Sequence, residues 1–274
     1  MKQMFVDILK KTRLYIPAKK AKDSILGFFR DDREERRRMI GFYSQFIKKG
    51  DICFDIGANL GSRTAIFLAC GARVVAIEPQ SSCINALQRK YGSNPNVIIL
   101  KAGVGEKEGI KEMKICNAPE FSTFSETQLN KMSNLQETKN LEWYKTEKVN
   151  IVTLDSLIKK YGEPSFCKID VEGYEKEVLG GLSKPIKLLS FEYNTLLVKN
   201  ALACINQLDK LSRLGKGKIG KKGKGECKYE FNYSVKESMS FRLNNWVSPG
   251  DIKKILNSMP QSSFSFGDIY ARLS

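Results

Sequence analysis

The sequence predicts an α/β fold in which a mostly parallel central sheet is flanked by helices. From residue 51 onward, short apolar runs alternate with helix-like segments, and two of these segments, 62–70 and 81–91, end at a glycine. Such runs suit strands buried on both faces of a parallel sheet. The predicted strands are residues 52–56, 73–77, 97–100, 166–169 and 187–191.

The first 49 residues are predicted as a basic helical extension of a single domain over residues 50–274. Apolar residues recur on one face of the first helix, which ends at Pro17. This helix either packs on the domain or associates weakly with an anionic membrane surface, and its short length favours packing. The second helix is predicted to begin with a capping box at Asp32 and to end at Gly50.

Two later segments depart from the alternation of strands and helices. Residues 116–146 are polar and follow a predicted strand at 110–115, so they form either a substrate loop or lid, or a mobile surface excursion. Residues 215–228 are rich in lysine and glycine, a composition typical of a flexible insertion. Strands are predicted on its far side at residues 229–233 and 266–273.

The net charge of +16 resides mainly outside the predicted catalytic core. Residues 1–49 carry +8 and residues 215–228 carry +5, which leaves +3 for the other 211 residues. An enzyme that acts on nucleic acid usually places its basic surface beside the active site. The distribution therefore disfavours a nucleic-acid partner.

Composition also bears on compartment and metal content. No uncharged apolar run is long enough to span a membrane, and no secretion signal is evident at the N-terminus, so we expect a cytoplasmic protein. The seven cysteines are scattered without a CxxC pair, and the chain has no histidine. This pattern suits a reducing compartment and disfavours a structural zinc site.

The strongest local signal is a glycine-containing turn between the first predicted strand and the helix after it. We assign ligand binding there to Asp55, Gly57, Ala58, Asn59 and Gly61, because glycine lets the backbone approach a ligand and a helix start offers free amides. At the end of the next strand stand Glu78 and Pro79. A carboxylate in that position can accept hydrogen bonds from both ribose hydroxyls of a nucleoside. The turn and the carboxylate together predict a Rossmann-like nucleoside site.

The identity of the turn residues favours S-adenosylmethionine over a nicotinamide dinucleotide. A dinucleotide site needs a second glycine close to the pyrophosphate, and Asn59 fills that position. S-adenosylmethionine has no phosphate, and its amino and carboxylate groups need polar partners. Asp55, Asn59 and the loop backbone are candidates for that role.

Candidate catalytic residues lie within and directly after the predicted strand at 166–169. Lys168 and Asp170 share one side of this strand by alternation, and Asp170 and Glu172 lie at its carboxyl end. Without histidine, a base must come from another residue type, and Asp170, Glu172 and Glu192 are the candidates. The alternative is that Lys168 and Glu172 form an ion pair that only orders the turn. A hard cation could use these carboxylates, but the spacing requires none, and we assign no metal ligands.

Five sequence blocks resemble the signature segments of FkbM-type methyltransferases. They are FDIGANLG, AIEP, TLDSL, CKIDVEGYEKEVLGG and SFEYN, in the family's order over roughly residues 50–195. The later stretches YEFNYS, NNWVS and GDIYAR resemble segments of some members, whereas the lysine-glycine insertion departs from the pattern. The resemblance implies a class I methyltransferase fold, S-adenosylmethionine as donor, and O-methylation of a sugar or secondary-metabolite hydroxyl.

The sequence therefore predicts a methyltransferase that acts on a small-molecule or glycan acceptor. In this prediction Asp170 or a neighbour positions or deprotonates the acceptor. One alternative is an RNA methyltransferase whose basic appendages fold over the active edge. Another is a nucleoside-binding module without activity, held at an anionic surface. The sequence names neither the acceptor nor the oligomeric state.

Overall fold

The structure is a computed structural model that describes residues 33–133, 139–214, 227–260 and 265–274. The predicted first helix and residues 215–226 of the insertion lie outside these ranges. The strands are β1 (Ile52–Ile56), β2 (Arg73–Glu78), β3 (Val97–Lys101), β4 (Gly103–Val104), β5 (Gly109–Cys116), β6 (Trp143–Val152), β7 (Phe166–Ile169), β8 (Leu188–Asn194), β9 (Tyr229–Tyr233) and β10 (Phe266–Leu273). The helices are α1 (Arg33–Tyr43), α2 (Ser62–Ala69), α3 (Ser81–Tyr91), α4 (Glu126–Ser133), α5 (Leu154–Tyr161), α6 (Glu175–Gly180), α7 (Val198–Leu214) and α8 (Pro249–Ser258).

The central sheet has seven strands in the order β3-β2-β1-β7-β8-β10-β9. Neighbours from β3 to β8 are parallel, whereas β10 runs antiparallel to both β8 and β9. This confirms the predicted α/β fold with a mostly parallel sheet. Because the five parallel strands point the same way, their carboxyl ends meet at one edge, where ligands bind in open α/β sheets. A smaller sheet, β4-β6-β5, is formed by segments between β3 and β7.

Two apolar cores cover the two faces of the central sheet. Alternation sends Phe54 and Ile56 of β1 into one core and Cys53 into the other. Helices α5, α6, α7 and α8 contribute to the first core, and α1, α2 and α3 to the second. Within the second core, the ring of Phe42 in α1 lies 5.4 Å from that of Tyr270, centre to centre. Residues 33–49 of the basic extension thus pack onto the domain.

The structure corrects three of the sequence-based boundaries. The helix predicted to end at Gly50 ends at Tyr43, and turns follow so that Ile47 can be buried ahead of β1. The segment predicted as irregular, residues 116–146, contains α4 and the beginning of β6. The strand predicted at residues 187–191 continues to Asn194, because β8 pairs with β10 along its whole length.

Two further observations concern the cysteines and the helices. All seven cysteines lie within the described residues, and all are free. Each helix in the described part of the chain is too short or too polar to cross a lipid bilayer.

Candidate active site

A cavity of about 290 Å³ opens at the carboxyl edge of the parallel strands. Its wall includes every predicted site residue except Gly61. From β1, the turn after it and the end of β2 come Asp55, Gly57, Ala58, Asn59, Glu78 and Pro79. From β7 and β8 and the turn after β7 come Lys168, Asp170, Glu172 and Glu192. The fold thus brings the predicted ligand-binding and catalytic residues to one cavity.

The turn after β1 is shaped by two glycines with left-handed backbone. Gly57 has φ 83°, and a Cβ atom there would stand 1.8 Å from the carbonyl oxygen of Asp170. Gly61 has φ 78°, and its Cβ would lie 2.7 Å from side-chain atoms of both Leu87 and Tyr91. Gly57 therefore lets β1 and the turn after β7 approach each other. Gly61 instead allows close packing against α3, away from the cavity wall.

The amides of this turn are largely engaged inside the protein. The N–H groups of Gly57 and Ala58 donate to the carbonyl of Ile77 at 2.9 and 3.0 Å, and that of Gly61 donates to Ala58 at 2.8 Å. The N–H of Asn59 donates to Glu78 at 2.9 Å. These four amides are therefore not available to a pyrophosphate, which binds through free amides.

Glu78 is a buried carboxylate held by two backbone amides. Its Oε2 accepts from Asn59 N, and its Oε1 accepts from Gln80 N at 2.8 Å. Burial raises the pKa of Glu78 to about 7, although these two hydrogen bonds act in the opposite direction. The held carboxylate retains lone pairs for further donors such as ribose hydroxyls.

Asp55 lies in the cavity wall, but its carboxylate faces α2. Its Oδ2 accepts a 2.6 Å hydrogen bond from the hydroxyl of Thr64. Burial raises the pKa of Asp55, which favours the protonated form. This side chain thus ties β1 to the first turns of α2, and a direct role in ligand binding stays a prediction.

Three carboxyl groups converge at the other end of the cavity. One oxygen from each of Asp170, Glu172 and Glu192 lies within 4.8 Å of the other two. Burial and the neighbouring Asp170 raise the pKa of Glu172 and of Glu192 well above the usual value. The three carboxyl groups are close enough together to hydrogen-bond to hydroxyls of one acceptor molecule. Their separation is also compatible with a bound hard divalent cation.

The segment of residues 116–146 holds Glu172 in place. Glu172 has φ 54°, and its carbonyl accepts from the Thr123 hydroxyl at 2.7 Å. Its carboxylate accepts from the buried Gln128 side chain, also at 2.7 Å. Phe124 from the same segment lies in the cavity wall. This position fits the predicted substrate loop, whose role in binding stays a prediction.

Lys168 is buried between two carboxylates. Its Nζ lies 3.1 Å from Asp170 Oδ2 and 2.9 Å from Asp268 Oδ1. Burial lowers the pKa of Lys168, but the charges of Asp170 and Asp268 outweigh it and raise the pKa well above the usual value. The alternative in which Lys168 pairs with Glu172 is therefore wrong, since alternation along β7 turns Lys168 toward Asp170 instead.

Sequence reasoning missed four charged residues in or beside the cavity wall. Arg63, Glu120 and Glu237 lie in the wall, and Asp268 in β10 pairs with Lys168. Arg63 and Asp268 were each signalled by a single charge among mainly apolar neighbours, in SRTAIFLA and in the start of FGDIYARL. A buried charge needs a partner, so such an isolated charge indicates a functional or paired position.

A family model described as the methyltransferase FkbM domain matches residues 55–200. The chain belongs to the FkbM-type methyltransferases. Family membership makes it a methyltransferase that takes its methyl group from S-adenosylmethionine. Among curated proteins, no significant match was found.

Several solved structures share low similarity with this FkbM-type chain. A precorrin-6Y C5,15-methyltransferase from Geobacter metallireducens has 11% identity and a TM-score of 0.41, covering 89% of this chain and 90% of its own. An O-methyltransferase from Bacillus cereus in complex with SAH has 11% identity and a TM-score of 0.37, with coverages of 89% and 82%. A SAM-dependent O-methyltransferase from Thermotoga maritima has 10% identity and a TM-score of 0.38, with coverages of 91% and 69%. The assignment to the family rests on the sequence match.

The cavity fits the donor of an FkbM-type enzyme. Glu78 supplies a buried carboxylate for ribose hydroxyls, and the turn after β1 reserves its amides for the protein. Asp170, Glu172 and Glu192 lie in the same cavity. When bound, the donor supplies a methyl group on a positively charged sulfonium.

Proposed function

We propose that the protein methylates a hydroxyl oxygen of a small molecule or glycan. The observation that carries this proposal is the group of three carboxyl side chains, Asp170, Glu172 and Glu192, within the cavity that also contains Glu78. A hydroxyl becomes a good nucleophile when a nearby base accepts its proton. The chain contains no histidine, so we assign this role to the carboxylates of the cavity wall.

The three carboxyl groups differ in their charged partners, which supports different roles. Asp170 lies 3.1 Å from the ammonium of Lys168, its charged partner. We assign Asp170 as the group that orients or deprotonates the acceptor hydroxyl. Glu172 and Glu192 have raised pKa values, and in the protonated form each can donate a hydrogen bond to another acceptor oxygen. A polyhydroxyl acceptor such as a sugar fits this combination.

The charges around the cavity argue against an RNA acceptor. Among the described residues of the wall, seven are acidic and two, Arg63 and Lys168, are basic. Both cations already pair with carboxylates, Arg63 with Glu237 and Lys168 with Asp170 and Asp268. A phosphate backbone would therefore meet a net negative wall.

The proposal can be tested before the acceptor is identified. Cell extract would be incubated with purified protein and S-adenosylmethionine that carries a deuterated methyl group, with and without EDTA. Mass spectrometry should find the label on an oxygen of a small molecule or glycan, and a parallel Asp170→Asn reaction should lose it. Label on RNA, or only on nitrogen or carbon, would contradict the proposal.

A further inference from the structure

Glu175 is a buried carboxylate that lies behind the cavity rather than in its wall. It is the first residue of α6, within the block CKIDVEGYEKEVLGG, and is 2% exposed. Among the described residues, this block contributes Asp170, Val171 and Glu172 to the cavity wall, but not Glu175. Burying a carboxylate is unfavourable unless its oxygens accept hydrogen bonds. The partners of Glu175 therefore indicate what it does.

Both oxygens of Glu175 accept hydrogen bonds from groups in or behind the turn after β7. Oε1 accepts from the N–H of Val171 at 3.2 Å and from the N–H of Gly173 at 3.1 Å. Oε2 accepts from Nδ2 of Asn200 in α7 at 2.6 Å. The carboxylate therefore joins two amides of the turn to a helix of the first apolar core.

The two amides flank Glu172, which has an unfavourable backbone conformation. Glu172 has φ 54° and Gly173 has φ 85°, so two successive residues are left-handed. Glycine adopts this conformation readily, whereas for Glu172 it costs free energy and persists only where the surroundings fix it. Oε1 of Glu175 holds the N–H groups on both sides of Glu172. Together with the Thr123 hydroxyl, which donates to the Glu172 carbonyl, it fixes where the Glu172 side chain lies.

The same turn sets the separation of the three carboxyl groups in the cavity. Asp170 directly precedes Val171, and Glu172 directly follows it, whereas Glu192 belongs to the neighbouring strand β8. A shift of the turn would therefore move Asp170 and Glu172 relative to Glu192. One oxygen from each of the three lies within 4.8 Å of the other two. When a reacting group is involved, a displacement of about 1 Å can lower a rate about 100-fold.

We propose that Glu175 is a positioning residue that holds Asp170 and Glu172 in place for methyl transfer through the amides of Val171 and Gly173. This inference rests on the proposed function, because it assumes that the two carboxyl groups face the acceptor. The reach of the side chain and its acceptor oxygen carry the role, rather than its charge. Glutamine retains the reach and one oxygen. Aspartate retains the charge, but it is one carbon shorter, by about 1.5 Å, and cannot reach both amides.

A comparison of Glu175→Gln with Glu175→Asp tests the inference. Each protein would be incubated at pH 8 with cell extract and saturating S-adenosylmethionine that carries a deuterated methyl group. The initial rate of product labelling would be divided by the concentration of folded protein. Burial raises the pKa of Glu175 to about 7, so the wild-type carboxyl is mainly ionised at pH 8. We expect Glu175→Gln to keep most of the wild-type rate and Glu175→Asp to lose about 100-fold.

Two controls accompany the comparison. Glu177→Gln changes a carboxyl group of the same helix that is not among the described residues of the cavity wall, and it should keep the wild-type rate. Binding of S-adenosylhomocysteine, measured by calorimetry, should be the same in all four proteins, because the ribose carboxylate Glu78 lies at the end of β2. A lower rate with unchanged binding would place the defect in the transfer step.

The outcomes separate this inference from the proposed function. Equal rates per folded molecule in the two Glu175 variants would show a purely structural role and overturn the inference. A rate kept by aspartate and lost with glutamine would also overturn it, because the charge would then carry the role. If the wild-type protein neither bound S-adenosylhomocysteine nor labelled any product, the proposed function would fail and this inference with it.

Amide hydrogen exchange in the wild-type protein gives a second test that needs no variant. The N–H groups of Val171 and Gly173 should exchange at least about tenfold more slowly than in the unfolded chain, because Glu175 accepts from both. Exchange of either amide at the rate of the unfolded chain would overturn the inference, even if neither Glu175 variant folded.

Discussion

The affinity for the donor should depend on pH through the ionisation of Glu78. Burial raises the pKa of this carboxyl to about 7. Ribose hydroxyls donate to the ionised form, so affinity should be highest above this pKa and should decrease as the pH falls through it. With a pKa of about 7, the ionised fraction falls about tenfold between pH 8 and pH 6, and the apparent affinity falls by the same factor.

Removing the carboxylate should abolish this dependence. Glu78→Ala is expected to weaken binding of S-adenosylhomocysteine at pH 8 by about 1.5–3 kcal/mol, or roughly 10- to 150-fold. The amides of Asn59 and Gln80 also lose their acceptor, which lowers the stability of the folded protein whether or not the ligand is bound. The affinity of the variant should then be nearly constant from pH 6 to pH 8.

Calorimetry with S-adenosylhomocysteine at pH 6, 7 and 8 measures both effects. Glu108→Ala removes an exposed carboxylate that is not in the cavity wall, and it should behave like the wild-type protein. A wild-type affinity that is constant from pH 6 to pH 8 would show that the ionisation of Glu78 does not control donor binding. An unchanged affinity of Glu78→Ala at pH 8 would remove Glu78 from the ribose site.

Three further predictions concern catalysis, stability and the insertion. Asp170→Asn should lower the single-turnover rate of methyl transfer by about 100-fold or more and change donor affinity little. A variant that keeps more than about a tenth of the wild-type rate would exclude Asp170 as a general base. Lys168→Met leaves the buried Asp268 without its cation and should lower the free energy of unfolding in urea by about 3–5 kcal/mol. Lys254→Met breaks an exposed ion pair and should lower the free energy of unfolding by less than about 1 kcal/mol. Equal losses of stability in the Lys168 and Lys254 variants would contradict this prediction. Deletion of residues 215–226 should leave the melting temperature and donor binding unchanged, because these residues are mainly lysine and glycine and have little apolar surface to bury. A large drop in melting temperature would show that the segment stabilises the fold.

The parallel strands could be predicted because their sequence pattern is local. Phe166–Ile169 and Ile52–Ile56 are buried runs flanked by turn residues, and both have the predicted bounds. Strand β6 was missed because it exposes most of its side chains and buries only residues such as Val149 and Ile151. Its pairing with β5 provides the stability that its apolar content does not. Helix α4 was missed for a similar reason, since its buried residues are Gln128 and Met132.

The site could be predicted only where its residues follow one another along the chain. The turn after β1 and the block around Asp170 carry their own signals, and the fold brings them to one cavity. The pairing of Lys168 with Asp268 joins residues 100 positions apart, through the antiparallel placement of β10 beside β8. Spacing in the sequence contains no information about such a contact. The sequence signals Arg63 as an isolated charge, but its partners Met39 and Glu237 lie 24 and 174 positions away and are found only in the folded chain.

The donor is expected to extend from Glu78 toward the carboxyl groups of Asp170, Glu172 and Glu192. A crystal structure of the protein with S-adenosylhomocysteine would show its position. We predict that both ribose hydroxyls contact the Glu78 carboxylate and that the sulfur faces the space beside Asp170. Ribose hydroxyls bound away from Glu78, or a sulfur directed away from the three carboxyl groups, would show that the cavity holds the donor in another way.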